Sequence, residues 1–373
     1  MTGRATPGSG HGLRLLFATP RFHPESGGVE THVREVSRRL AAMGVAVTVV
    51  TTDPGGLARS EDVDGVRVLR APAWPRGTDA RYARDLRALL SGGTWDLVHV
   101  QSYHTLMAPQ AMAWARRHRL PFVLTFHAGG HSSRLRNMLR PGQQLALRPL
   151  LAHADALVVL TPEEIERYGR LLRLPADRFA LVPNGADLPA PPDDASRGTE
   201  AGLIVSVGRL ERYKGHQHAI RALPVIRQQR PDARLWIAGA GRYEAELRRL
   251  ARGLGVEDRV EIRAIPPHER ERMARELARA NLVVLLSEFE THPIAALEAI
   301  ALRRRLVVAD APGLRELAAQ GLADAVATDA GPQAVARAML RRMNGPEPPA
   351  PPALPSWDDC AAGLHALYLR IVS

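Results

Sequence analysis

A chain of 373 residues with one cysteine, one lysine and 5% aromatic residues is marked first by what it does without. The lone Cys360 excludes an internal disulfide and leaves no partner for a thiolate-rich zinc site, so neither redox nor structural-zinc chemistry is suggested. No apolar run approaches the roughly 18 residues that span a bilayer, and residues 1–11 are polar and glycine-rich, so the chain reads as soluble and cytoplasmic. Sparse aromatics without recognition spacing speak against nucleic acid as a partner, which the net charge of +11 would otherwise invite.

That charge is arginine: 50 basic residues less one lysine leave 49. Such a ratio looks like a GC-rich coding bias. Against it, a single ammonium survives at Lys214. Chance survival is the plain reading. The functional one is that a compact point charge on a flexible stem is wanted where a planar guanidinium would be too large or too rigid.

What is present is an α/β pattern. Short apolar runs at 13–19, 47–52, 97–101, 122–126 and 156–160 read as buried strands, and the amphipathic stretch 29–43 is the clearest helix between them. After a Pro/Asp/Ala-rich stretch the design repeats, with strands expected at 203–207, 234–238, 260–263, 282–286 and 306–309. This divides the chain into a Rossmann-like domain over 1–188, a linker over 189–201, a second Rossmann-like domain over 202–344, and a tail over 345–373. In the tail a proline-rich spacer precedes a helical pattern at 357–372 that can cross back to the first domain.

Two constellations carry chemistry. The strand ending at Val207 runs into Gly208, Arg209, Leu210, Glu211, Arg212, Tyr213, Lys214 and Gly215, with a helix expected to begin near His216. Ligands of open parallel sheets sit beyond the strand carboxyl ends, and two cations near a helix start favour a phosphate there. The second constellation runs from Ser287 to Glu298, again just past a buried strand, with Glu290 and Glu298 eight residues apart. Pro293 is placed to open a helix, and a carboxylate can accept both hydroxyls of a sugar or ribose diol. Gly239-Ala240-Gly241 lacks the third glycine of the dinucleotide fingerprint, and Asp62-Val63-Asp64 falls in an apparent turn, so neither NAD nor a metal is inferred.

Together GRLERYKG and EFETHPIAALE resemble the basic pair and the E-x7-E signature of the retaining GT-B glycosyltransferases of family four. ESGGVETHV, DLVHVQS, LTFHAGG, VPNGAD and the terminal WDDCAAGLHALY extend the likeness over nearly the whole chain. The resemblance implies a GT-B fold, two Rossmann-like domains facing a central cleft. It implies that Arg209 and Lys214 neutralise the diphosphate of a nucleotide sugar, that Glu298 binds its ribose, and that Glu290 approaches the donor sugar. Gly27 and Gly28 resemble first-loop glycines that let the backbone approach phosphate or sugar. His127 resembles the histidine that contacts a donor-hexose hydroxyl, although a lone histidine at a strand end serves equally as a satisfied polar group, and both readings stay open.

The chain also departs from the family. A glycine-aromatic-glycine run commonly follows the first glutamate, whereas Thr291, His292 and Pro293 stand here, and proline has no N–H for a phosphate. Side chains of Thr291 or His292 would have to substitute. Ala264 stands where a glycine is common near the nucleobase. The expectation is transfer of a sugar to a hydroxyl acceptor with retained configuration and without a cofactor or metal, UDP being placed slightly ahead of GDP and dTDP. A sugar-nucleotide epimerase of the same architecture is the rival enzyme. The basic segment 134–148 leaves two readings open: peripheral contact with an anionic membrane, or solvated arginines beside a small acceptor.

Overall fold

The computed structural model describes residues 12–373 apart from 26, 54, 76–80, 128–133, 190–198, 267, 291 and 351, and of residues 134–137 the backbone only. The first domain holds β1 (Arg14–Ala18), β2 (Ala46–Asp53), β3 (Ser60–Val63), β4 (Val66–Trp74), β5 (Tyr82–Ala83), β6 (Leu97–Gln101), β7 (Phe122–Thr125), β8 (Ala156–Val159) and β9 (Phe179–Leu181). They form one sheet in the order β3-β4-β2-β1-β6-β7-β8-β9, with β5 against β4. Its helices are α1 (Gly28–Ala42), α2 (Leu86–Ser91), α3 (Met107–Arg117), α4 (Arg134–Leu151) and α5 (Pro162–Leu172).

The second domain builds β10 (Glu200–Val207), β11 (Arg234–Ala238), β12 (Val260–Ile262), β13 (Ala280–Leu285), β14 (Leu306–Ala309) and β15 (Asp324–Val326) into a parallel sheet ordered β12-β11-β10-β13-β14-β15. Around it lie α6 (His216–Gln229), α7 (Glu244–Gly253), α8 (Arg270–Ala278), α9 (Ile294–Ala301), α10 (Arg315–Ala319) and α11 (Pro332–Asn344). The two-domain α/β class is the one expected. The central strands of each sheet are buried on both faces, which is why they read as continuous apolar runs.

Strand order sets where a ligand can sit. In the first sheet the order reverses at β1, which pairs with β2 on one side and β6 on the other; in the second it reverses at β10, between β11 and β13. A crevice opens beyond the carboxyl ends of strands at such a reversal. The loop after β1 leads to Gly27 and Gly28, and the loop after β10 holds Arg209 and Lys214. Topology thus aims both glycine-bearing loops at one place.

The last helix, α12 (Trp357–Val372), follows the proline-rich spacer and packs on α1. Ser356 and Asp359 cap it reciprocally, each side chain bonding the other's backbone N–H, while Trp357, Leu364 and Tyr368 bury among Phe17, Val36 and Leu40 of the first domain. Backbone bonds tie the junction: the Ala186 N–H donates to the Pro355 carbonyl at 2.9 Å and the Trp357 N–H to Asp187 Oδ1 at 2.5 Å.

Two sequence expectations need correction, and one long strand lay outside them. The linker does not run to 201, because β10 already includes Glu200 and Ala201; the Glu200 carboxylate is held between Arg234 and Arg279, so a charged residue extends the strand. The rest of that linker, 190–198, lies outside the described residues. Pro293 is the N-cap of α9 with a non-helical ψ of 83°, and the helix starts at Ile294. Strand β4 went unread because arginines and Pro72 interrupt its apolar pattern. Arg70 is nonetheless buried there, its Nη2 bonded to Glu61 and the His23 carbonyl and its Nη1 to the Ala58 carbonyl, while Nε has no partner.

Candidate functional site

One pocket between the domains gathers residues from both. Gly27, Gly28 and Thr31 line it from the first domain; Arg209, Lys214, Ala264, Glu290, His292 and Glu298 are among those lining it from the second. The approach is close. A Cβ on Gly27 would lie 3.5 Å from Arg209 Cδ and 2.3 Å from Glu30 Oε2, and one on Gly28 would lie 3.9 Å from Ile294 Cδ1. Absence of a side chain at 27 therefore keeps room beside Arg209.

The basic loop is held from beneath. His216 opens α6 and is buried; its Nε2 lies 3.2 Å from the Arg209 carbonyl and its Nδ1 2.8 Å from Ser206 Oγ. A carbonyl can only accept, so Nε2 carries the proton and Nδ1 accepts from the serine. Arg209 Nη2 donates to the Tyr213 hydroxyl at 3.0 Å. Lys214 Nζ donates to Glu290 Oε1 at 2.6 Å, and Ser287 Oγ donates to the same oxygen at 2.7 Å. Sequence reasoning missed Ser206 and His216, although a histidine directly after the glycine that ends the loop was visible.

Glu298 is almost completely buried in α9 and pairs with Arg270, the first residue of α8, a partner that no sequence motif flagged. Burial holds its carboxyl above the usual range, Arg270 pulls it back, and Glu35 and Asp187 push it up again. His292 lines the same pocket with a buried Nδ1 that has no partner, and its backbone carbonyl accepts from the Ile294 N–H at 2.9 Å. Thr291 lies outside the described residues.

His127 stands apart from the others. It is not among the residues lining this pocket; its Nε2 bonds Gln101 Oε1 at 2.6 Å, and its ring meets His32 edge-on at 4.8 Å between centroids. His32 in turn bonds Asn184 Oδ1 at 2.7 Å, and His99 bonds Tyr368 and Thr125. These buried contacts join α1, β6, β7, Asn184 in the segment after β9, and α12. Cys360 is buried nearby, and burial pushes its thiol up to about 12, which removes it as a nucleophile.

Burial lowers the pKa of His32, His216 and His292 to about 4 each. A group depressed on folding costs nothing above the unfolded value of about 6.5, and stability falls as pH drops from there toward 4, because the unfolded chain takes up protons that the fold refuses. Between pH 6.5 and pH 5 each such imidazole removes on the order of 2 kcal/mol. Melting curves across that range are expected to fall steeply, and His216→Asn should flatten the slope; a profile flat down to pH 5 would contradict the neutral assignment.

Residues 27–185 match the family model for a glycosyl transferase 4-like domain, and residues 193–351 the model for glycosyl transferases group 1. The chain is 34% identical to a D-inositol 3-phosphate glycosyltransferase of Xylanimonas cellulosilytica, over 78% of this chain and 77% of that protein. It is 30% identical to a glycogen synthase of Mycobacterium tuberculosis, over 83% and 81%. Among solved structures, sucrose-phosphate synthase from Thermosynechococcus elongatus superposes with a TM-score of 0.75 at 21% identity, covering 96% of this chain and 98% of that one. Anabaena HepE in complex with UDP-glucose gives 0.66 at 16% identity, covering 97% and 96%.

Proposed function

Since the chain belongs to the group 1 glycosyltransferases and has their GT-B fold, we propose that it moves a sugar from a nucleotide-diphosphate donor, UDP-linked before GDP- or dTDP-linked, to a hydroxyl acceptor with retention of anomeric configuration. The observation that carries the reading is the convergence of Arg209, Lys214, Glu290 and Glu298 on one interdomain pocket opposite Gly27 and Gly28.

The chemistry follows from charge. Breaking the bond between sugar and diphosphate leaves negative charge on the departing phosphate, and cations already fixed in a dry cleft stabilise it without reorganisation. Arg209 and Lys214 fill that role, which makes a divalent metal unnecessary in this proposal. Lys214 is ion-paired with Glu290, so an incoming diphosphate competes with that carboxylate for the ammonium. Glu298 accepts from the ribose, and His292 offers a neutral imidazole where a glycine-rich backbone would otherwise face the donor. In this reading the donor sugar extends beyond the residues that line the pocket toward His127, whose Nε2 is bonded to Gln101 Oε1.

Among the described residues no helix is long and apolar enough to cross a membrane. On the first domain α4 exposes Met138, Leu139 and Leu145 near the exposed Arg148, which supports peripheral contact with anionic lipid during transfer.

The test is an assay of UDP-, GDP- and dTDP-sugars with and without acceptors, D-inositol 3-phosphate and glycogen among them, in the presence of EDTA, with the product anomer read by NMR. Acceptor-dependent release of the nucleotide with a retained anomer is expected. Donor consumption without any acceptor would favour the epimerase, and reversible loss in EDTA would overturn metal independence.

A further inference from the structure

Arg270 opens α8 beside Ala264, Ile265 and Met273 in the pocket wall, and its guanidinium donates to Glu298 Oε1. Both partners are withdrawn from water, their side chains 17% and 4% exposed. Glu298 belongs to a helix, IAALEAIA, that is otherwise wholly apolar and packs into the second core. A carboxylate in that setting keeps its charge only if a cation is bonded to it. Besides Arg270, two further acids act on it electrostatically, Glu35 of α1 and Asp187 of the segment after β9. Glu35 is itself occupied by Arg38 and Arg39, both at 2.6 Å.

Building on the nucleotide-sugar reading, we propose that Arg270 is a positioning residue for the nucleotide: it pins one oxygen of Glu298 and keeps the carboxylate anionic, leaving the other oxygen to accept from a ribose hydroxyl. Without Arg270, burial, Glu35 and Asp187 all push the Glu298 carboxyl in the same upward direction. A carboxyl that takes up a proton gives up the charge-assisted hydrogen bond that distinguishes ribose from deoxyribose. The pair also explains why an arginine is used: a guanidinium keeps its proton however deeply it is buried, and here the neighbouring acids raise it further against the lowering effect of burial.

The experiment is calorimetric titration of the full chain, Arg270→Gln and Arg270→Lys. The probes are whichever of UDP, GDP and ADP binds the wild type, and its 2′-deoxy analogue, between about pH 6 and pH 8. The ratio of ribo to deoxy affinity cancels the titration of the diphosphate itself. In the wild type this ratio is expected to stay flat with pH. In Arg270→Gln it should drop about tenfold at the acid end and recover toward the alkaline end, while Arg270→Lys restores the flat profile. A loss in Arg270→Gln that is equal for ribo and deoxy ligands at every pH, or no loss, would overturn the role. Should Arg270→Gln fail to fold, Arg270→Met takes its place, with the same pH-dependent drop in the ratio expected and an equal loss for both ligands or no loss overturning the role. Failure of the wild type to bind any nucleoside diphosphate would instead sink the nucleotide-sugar reading itself.

Discussion

Lys214→Ala is expected to lower kcat/KM about a thousandfold, on the order of 4 kcal/mol of transition-state stabilisation, with little change in melting temperature. The reasoning is that the ammonium makes its strongest interaction with charge that appears only as the diphosphate leaves. In the resting protein it holds one half-buried ion pair with Glu290, and after its removal Ser287 Oγ still donates to that carboxylate. Lys214→Arg keeps the charge but replaces a compact ammonium, bonded to Glu290 Oε1 at 2.6 Å, with a planar fork of different reach. It should recover at most about a tenth of the activity. Steady-state kinetics with a saturating donor series check both variants. Near-normal turnover in Lys214→Ala would remove the ammonium from the mechanism and with it the argument that this chain kept a lysine for cause.

Gly215→Ala should be as damaging to activity for a different reason, and it should also destabilise the fold. Gly215 has a φ of +77°, and a Cβ built there would sit 1.9 Å from the carbonyl oxygen of Leu286. Gly44 has a similar φ of +87° and nothing within 4 Å of its Cβ position, so it isolates the cost of the left-handed backbone. Gly44→Ala is expected to lose about 1 kcal/mol, and Gly215→Ala about 3 kcal/mol or more because backbone must move as well as strain. What must move is the segment between Lys214 and the strand end that carries Glu290's loop, so donor binding falls with stability. Denaturant titration of the two variants side by side measures the difference, and equal losses would show that the close packing under the loop does not matter.

Much of the architecture was legible because parallel strands buried on both faces leave an unbroken apolar signal. β6, β11 and β14 match their expected bounds, as does α12, whose anchors Trp357, Leu364 and Tyr368 repeat at helical spacing. The failures are equally physical. β4 hides a buried arginine that reads as surface until Glu61 and two carbonyls are seen around it, and Glu200 reads as linker until Arg234 and Arg279 flank it. The site divides in the same way. Arg209, Lys214, Glu290 and Glu298 carry a signature in their spacing, whereas Arg270 is one arginine among 49 in the chain.

By itself, then, the order of residues determined the alternation of strands and helices, the two-domain plan and the candidate cations and carboxylates. These depend on local periodicity and short spacings, which a chain displays without folding. Only the tertiary structure decided which charges meet. It joined Lys214 to Glu290 across 76 residues and Arg270 to Glu298 across 28, set Gly27 against Arg209 from the opposite domain, and bonded His127 to Gln101 outside the set of residues that line the pocket. Such pairings follow from the strand order at β1 and β10 and from how far each side chain is removed from water, neither of which is written in any stretch of sequence.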